Sequence, residues 1–274
     1  MVKKRMFIAL STAVAVVVAL AGCTSNNSVN DGGNTTASSH LTKILKSKTI
    51  RIGVLTTAAP YSFKSPSGQY EGFDIDIANA LATSLGAKAD FVAVTDVSRI
   101  PAVQADRVDV VIAAMGIKDA RAQQISFSTP YLMASTQIAT RKDGKIKSYN
   151  DLDGTKVAST QGSQGSDALK TQFSKALPVE FASFADSAQA IKSKKVDSVI
   201  SDNVTINALI QSDPSLELLA GPPINPGYTG MGVVTGDWVW LQYLNTFIRN
   251  YDISGPGHAS YLKWIGQDMP ASLG

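Results

Sequence analysis

Asp74-Ile75-Asp76-Ile77-Ala78-Asn79-Ala80-Leu81-Ala82-Thr83-Ser84-Leu85-Gly86-Ala87-Lys88-Ala89-Asp90-Phe91-Val92-Ala93-Val94 is the stretch whose reading decides the fold class. Ile75, Ala78, Leu81 and Leu85 recur at three- and four-residue spacing, which predicts a helix over 74–85 with one apolar face, and Gly86 follows as a C-terminal stop. The apolar, β-rich run 89–94 then reads as a strand. On either side, 49–54 and 108–114 carry the same strand signature. Strands alternating with helical patterns indicate an α/β fold in which helices cover a mostly parallel sheet.

A second set of the same kind begins after Asp151-Leu152-Asp153-Gly154. It reads as strand 156–159, helix 167–177, strand 179–184, helix 187–194, strand 198–201 and helix 204–212, a small α/β unit of its own. The stretch Gly221-Pro222-Pro223-Ile224-Asn225-Pro226-Gly227 leads into the apolar run 228–234, then into amphipathic helices around 238–250 and 259–265. That tail is expected to return to the first unit. No internal repeat alters this organisation.

The N-terminus sets the expected compartment. Lys3-Lys4-Arg5 precedes an apolar run from Phe7 to Leu20 and then Leu20-Ala21-Gly22-Cys23, the layout of a bacterial lipoprotein signal over residues 1–22. The apolar run is short for a bilayer span. Cys23, the single cysteine of the chain, stands where lipid would be attached, so no intramolecular disulfide is available. Thr24 to His40 is almost wholly polar, with two glycines, and residues 23–43 are read as a flexible tether with an r.m.s. span of roughly 20–25 Å. Removing the signal takes three of the 25 Lys and Arg and none of the 22 Asp and Glu, which leaves a formally neutral chain. With no basic block of five or six residues, nucleic acid is not an expected partner.

Several segments together resemble the amino-acid-binding members of the bacterial extracellular solute-binding proteins, family 3. They are Arg51-Ile52-Gly53-Val54, Pro60-Tyr61-Ser62-Phe63, Gly72-Phe73-Asp74-Ile75-Asp76-Ile77-Ala78, Arg99-Ile100-Pro101-Ala102-Val103, Val108-Asp109-Val110-Val111-Ile112-Ala113, Phe127-Ser128-Thr129-Pro130-Tyr131, Asp151-Leu152-Asp153-Gly154 and Lys263-Trp264-Ile265-Gly266. Each is weak alone; their order and spacing carry the resemblance. It implies a two-lobed periplasmic-binding-protein fold of type II, with residues 44–138 and 229–274 in lobe 1, residues 139–228 in lobe 2, and crossing strands near 136–141 and 227–233. It further implies a monomer that holds a free amino acid in the cleft and passes it to an ABC importer permease, outside the plasma membrane, with lipidated Cys23 as the membrane anchor.

The resemblance also assigns the site. Arg121, in Gly116-Ile117-Lys118-Asp119-Ala120-Arg121, is implied as the grip on the ligand carboxylate, since a guanidinium offers two parallel hydrogen bonds. A surface ion pair with Asp119 is the plainer alternative. Asp202 is implied as the partner of the ligand ammonium, although it also suits the N-cap of the helix that follows. Ser163, with the backbone of Gly162 and Gln164, is implied as a second donor set to the carboxylate, or else the loop is only a tight turn. Ala114 and Tyr61 complete the expected ligand-binding set, Tyr61 and Phe63 serving equally well as core.

Gly116 stands where many members have Thr or Ser, which leaves only backbone groups at that point. Leu55 and Ala58 stand where members for basic amino acids or glutamine commonly carry an acid and a stacking aromatic, which disfavours a cationic side chain, so a neutral, small to medium α-amino acid is expected. Two alternatives share the fold: an enzyme resembling cyclohexadienyl dehydratases and a tethered amino-acid sensor. Against catalysis, the two histidines are His40, in the tether, and His258, in what reads as a solvated turn. No motif for a metal or cofactor appears, and none is expected.

Overall fold

The computed structural model describes residues 39–269. In chain order the elements are α1 (His40–Ser47), β1 (Thr49–Val54), β2 (Thr57–Ala58), β3 (Ser62–Lys64), β4 (Tyr70–Glu71), α2 (Phe73–Ser84), β5 (Lys88–Ala93), α3 (Arg99–Gln104), β6 (Val110–Val111), α4 (Asp119–Ala122) and β7 (Ser126–Arg141). A short 3-10 turn (Tyr149–Leu152) precedes β8 (Lys156–Thr160), α5 (Gln164–Gln172), β9 (Leu177–Phe181), α6 (Phe184–Lys192), β10 (Ser198–Asp202), α7 (Asn203–Ser212), β11 (Leu216–Leu218), β12 (Ile224–Val233), α8 (Trp238–Asp252) and α9 (Gly255–Ile265).

Among these residues nine strands form one sheet in the order β5-β1-β6-β12-β7-β10-β8-β9, with β11 also on β7, and β2-β3-β4 form a small second sheet. β5, β1 and β6 are parallel to one another, as are β10, β8 and β9. The long strands β7 and β12 run antiparallel between these two groups and join them into a two-lobed molecule. With 16 residues, β7 is about 50 Å long at ~3.3 Å per residue, long enough to serve both groups.

Each group has its own core. Ile50, Ile52, Phe73, Leu81, Trp240 and Leu244 pack on one side of β1 and β6, and Leu55, Val103, Val111 and Ile125 on the other. In the second group Ile138, Val157, Leu169 and Ile200 form one face, and Ala139, Ile191, Val199 and Ile206 the opposite one. Burial on both faces is complete at β6 and over most of β8 and β10, as expected of parallel strands covered on either side.

Side-chain caps set the helix starts in the second group. Ser163, Ser183 and Asp202 accept from the backbone N–H groups of Ser166, Asp186 and Thr205 at 3.1, 3.2 and 3.0 Å. Ser163 therefore starts α5 at Gln164 rather than at 167, and Ser183 starts α6 at Phe184, a residue expected to end a strand. The expected helix to 177 stops at Gln172, and β9 takes over from Leu177. Its Pro178 is accommodated because β9 is an edge strand. The expected strand 108–114 shrinks to Val110–Val111 because Ala114 turns into the left-handed region, with φ of 47°.

Two further expectations are corrected. Residues 40–43 are not tether: His40 is buried and opens α1, while Ser39 Oγ and the His40 N–H both donate to the Asp237 carboxylate at 2.7 Å. The His40 ring adds contacts to Asp237 and Asp106 at 2.8 and 3.1 Å. Asp237 lies almost 200 residues further along the chain, out of reach of a composition reading. His258 lies in the first turns of α9, capped by Ser254 and carrying Pro256, instead of in a loop. The expected signal, Cys23 and residues 24–38 lie outside the described residues. Among the described residues no helix is long and apolar enough to cross a membrane.

Candidate functional site

The two strand groups face each other across a cleft that encloses a cavity of about 50 Å³, room for a few water-sized groups. Leu55, Ala58, Tyr61, Asp96, Arg99 and Ala114 line it from the first group. Thr160, Ser163, Gln164, Gly165, Phe184, Ser201, Asp202 and Thr205 line it from the second. Tyr61, Ala114, Ser163, Gln164 and Asp202 are thus brought together on one cavity, while Gly116, Gly162 and Arg121 lie immediately behind its lining.

Arg121 sits on the short α4 with its side chain buried. Its Nη1 donates to the Gly116 carbonyl at 2.9 Å and its Nη2 to the Gly162 carbonyl at 3.0 Å, so one guanidinium touches both sides of the cleft. Asp119, the expected surface partner, is not among its contacts; the nearest carboxylate is Asp167, at 4.0 Å. Burial, reinforced by the nearby charge of Arg99, pushes the Arg121 guanidinium down to about 10, still charged near neutrality. An anion beside these two cations would relieve their repulsion.

The loop that meets Arg121 is built for close approach. Gly162 has φ of 72°, and a Cβ there would lie 3.2 Å from Val97 Cγ2 and 3.3 Å from the Asp96 carbonyl oxygen. Glycine meets both the backbone and the steric demand. Ser163 caps α5, so its oxygen is engaged with the Ser166 N–H.

Asp202 ends β10 and caps α7. Its Oδ1 accepts from the Thr205 N–H at 3.0 Å and from the Tyr61 hydroxyl at 2.9 Å, and its Oδ2 accepts from the Thr205 hydroxyl at 2.6 Å. The capping and cleft-facing roles therefore coexist. Tyr61 is buried, and burial together with the Asp202 charge raises its hydroxyl well above the usual range, so it remains a donor. Behind it lies Asp74, fully buried, accepting from the Ala114 N–H at 2.7 Å and the Tyr131 hydroxyl at 3.0 Å. Burial pushes this carboxyl up to about 7 against those two hydrogen bonds.

Arg99 is a cleft residue that sequence reasoning passed over. It is 2% exposed, and its Nη1 donates to the Ala113 carbonyl at 2.8 Å and pairs with Asp96 at 3.0 Å, while its Nε is buried without a partner. One signal was present: Arg99 shares a helix face with Ala102 and Val103, an apolar face on which a charged residue has no place unless it is paired.

The two halves also meet through Lys118 and Asp167, whose charged groups are 2.9 Å apart. A cluster elsewhere, His40, Asp106 and Asp109, has the residue types of a metal site. Arg51 already supplies the positive charge there, bonding Asp106 and Asp109 at 2.7 and 2.6 Å.

Comparison with known proteins agrees with this geometry. Residues 50–267 match the bacterial extracellular solute-binding proteins, family 3. The ABC transporter glutamine-binding protein GlnH of Bacillus subtilis (strain 168) is 31% identical over 271 residues, covering 97% of this chain and 98% of that one. The crystal structure of the P235GK mutant of ArgBP from T. maritima superposes with a TM-score of 0.78 at 28% identity, covering 83% of this chain and 99% of that one. An ancestral amino acid-binding protein, AncCDT-1, described as a precursor of cyclohexadienyl dehydratase, gives a TM-score of 0.78 at 32% identity, covering 82% of this chain and 99% of that one. Since the match runs from β1 to α9, through both lobes and both strands that join them, this chain belongs to the bacterial extracellular solute-binding proteins, family 3.

Proposed function

We propose that this protein captures a free α-amino acid in its cleft and delivers it to the permease of an ABC importer. The observation that carries the reading is one cavity between the lobes with Asp202 in its lining and Arg121 just behind the lining, held to the Gly116 and Gly162 carbonyls. A zwitterion presents a carboxylate and an ammonium on neighbouring atoms, and burying both requires a partner for each. Arg121 suits the first and Asp202 the second. Ligand contacts to both lobes would favour the closed arrangement, which couples capture to closure. The hinge belongs at residues 131–135 of β7 and 227–229 of β12, since Thr136 and the residues after it already pair with β10 and β11. This lies a few residues before the 138/139 division read from sequence.

The walls formed by Leu55 and Ala58, with Arg99 neutralised by Asp96, favour a neutral side chain. An acidic side chain is the second reading, favoured by the unpartnered Arg99 Nε. A thermal-shift screen of the twenty common L-amino acids, followed by calorimetry, decides between them, because a ligand bound only by the native state raises its melting temperature. Glutamate or aspartate bound more than tenfold tighter than glutamine, serine and alanine would establish the acidic reading; no hit at all would reject amino-acid capture.

Binding rather than catalysis suits a cavity whose Asp202 is committed to four donors. The tether and the lipid on Cys23 complete the proposal, with a monomer held outside the plasma membrane. Cys23→Ala is expected to abolish lipid labelling and shift the protein to the soluble fraction; unchanged fractionation would reject the anchor.

A further inference from the structure

Gly116 follows β6 in lobe 1, and Gln164 opens α5 in lobe 2. Across the closed cleft they touch: a Cβ built on Gly116 would lie 1.7 Å from Gln164 Nε2 and 2.5 Å from its Cδ, separations that no side chain could accept. Backbone conformation does not demand glycine here, because Gly116 is not among the positive-φ residues. Its carbonyl accepts from Arg121, and its backbone bridges to Thr229, as any residue's could. Glycine at 116 therefore provides space, and the Gln164 carboxamide occupies it.

Gln164 is half-buried and lines the cavity, and its carboxamide has no hydrogen-bond partner among the described residues. It carries two N–H donors and a carbonyl acceptor, all uncommitted. Its Nε2 end abuts the glycine whose carbonyl holds Arg121, so the amide donor and the guanidinium are directed to one locality. A bound oxygen that accepts from this amide gains a hydrogen bond that no protein group supplies to it.

We infer that Gln164 is a further binding residue that acts through its side chain, which crosses the cleft onto Gly116 and donates to an oxygen of the bound amino acid beside Arg121. This rests on the proposed capture of an amino acid. The residue at 116 and the residue at 164 are thus one unit: lobe 1 omits a side chain so that lobe 2 can supply the polar group. Because the contact is assembled only when the lobes meet, it rewards closure.

Calorimetry of the purified protein with L-glutamine, L-glutamate, L-serine, L-alanine and L-arginine tests this, using Gln164→Ala, Gln164→Glu, Gly116→Ser and the Gly116→Ser/Gln164→Ala double variant. For whichever probe binds best, Gln164→Ala should weaken binding about tenfold, as expected for one lost hydrogen bond to a charged group. Gln164→Glu should weaken it further by opposing a carboxylate. Gly116→Ser should weaken it because its side chain evicts the carboxamide, and the double variant should bind more tightly than Gly116→Ser alone. Binding by Gln164→Ala within twofold of the parent, or a double variant no better than Gly116→Ser, would overturn the inference while leaving amino-acid capture intact. If the parent bound none of the twenty common amino acids, capture and the Gln164 contact would fall together. Small-angle scattering of the unliganded proteins would then test the packing alone, a larger radius of gyration in Gly116→Ser than in the double variant being the expected result.

Discussion

The two walls of the cleft are built by different means. Lobe 1 contributes ionisable groups held by burial, Arg99 in the lining with Arg121 and Asp74 behind it: each is less than a tenth exposed, and they are fixed by hydrogen bonds to carbonyls, an N–H and a tyrosine. Lobe 2 contributes the ends of strands where helices begin, with Ser163 and Asp202 acting as both lining and caps. The guanidinium of Arg121 is held by carbonyl groups and caps no helix. A capping carboxylate cannot be altered without loosening the helix it starts, so recognition on the second wall is tied to local stability.

Deleting one charge from each wall is the severest way to break this contrast. Arg121→Ala and Asp202→Ala should each reduce amino-acid affinity by about 2–5 kcal/mol, roughly 30-fold to several thousand-fold, because each leaves a ligand charge unpaired. Asp202→Ala should also lower stability by about 1 kcal/mol through loss of the α7 cap. Arg121→Ala should leave α7 unaffected. Calorimetry paired with urea melts checks both, and losses below threefold in both variants would mean that the site is elsewhere.

Asp74 sharpens the account of the buried wall through pH. Burial raises its carboxyl from 3.8 to about 7, so between those values the native state holds a proton that the unfolded chain has released. Its contribution to stability is complete below pH 4 and is lost as pH rises through about 7, on the order of 4 kcal/mol in all. Asp252, raised to about 6 by burial, adds to the same trend. Asp74→Asn should flatten the fall in unfolding free energy between pH 4 and 7, and an unchanged slope in urea melts would refute the assignment.

Ser163→Ala probes the second wall more gently. Loss of its cap on α5 should cost about 1 kcal/mol of stability and weaken ligand binding in parallel, whereas a change in neither would detach the cap from the site. The smallest effect should come from the Lys118–Asp167 pair, which joins the two walls in partly exposed positions. Lys118→Ala should weaken ligand binding by less than about fivefold, an effect that fades in high salt, as exposed ion pairs contribute about 0.2–1 kcal/mol. A large, salt-independent loss would make Lys118 part of the binding site instead.

Much of this frame was legible residue by residue. The strand over 49–54, rich in β-branched residues and buried at 50 and 52–54, appears at those limits, and the helix predicted over 74–85 is displaced by one residue. Arg121 and Asp202 could be nominated from the segments that contain them, and the capping role of Asp202 was foreseeable from its place before an apolar run. Elements with competing local signals were misjudged: the serines at 163 and 183 moved two helix starts, and Pro178 sits in a strand that only its edge position permits.

What the sequence by itself determined is what depends on neighbours along the chain: the alternation of strands and helices, the caps, and the residue types able to pair with a zwitterion. Tertiary structure decided which of these meet. Tyr61 finds Asp202 across 141 positions, His40 finds Asp237 across 197, and Gln164 occupies the space above Gly116 from the opposite lobe. The pairing of Arg99 with Asp96 is local, yet its place in the cleft depends on where β6 delivers the Ala113 carbonyl. Such contacts arise from packing two lobes to van der Waals distance, and a polar group's partner then depends on which backbone or side chain the packing brings within about 3 Å, a quantity that no local pattern encodes.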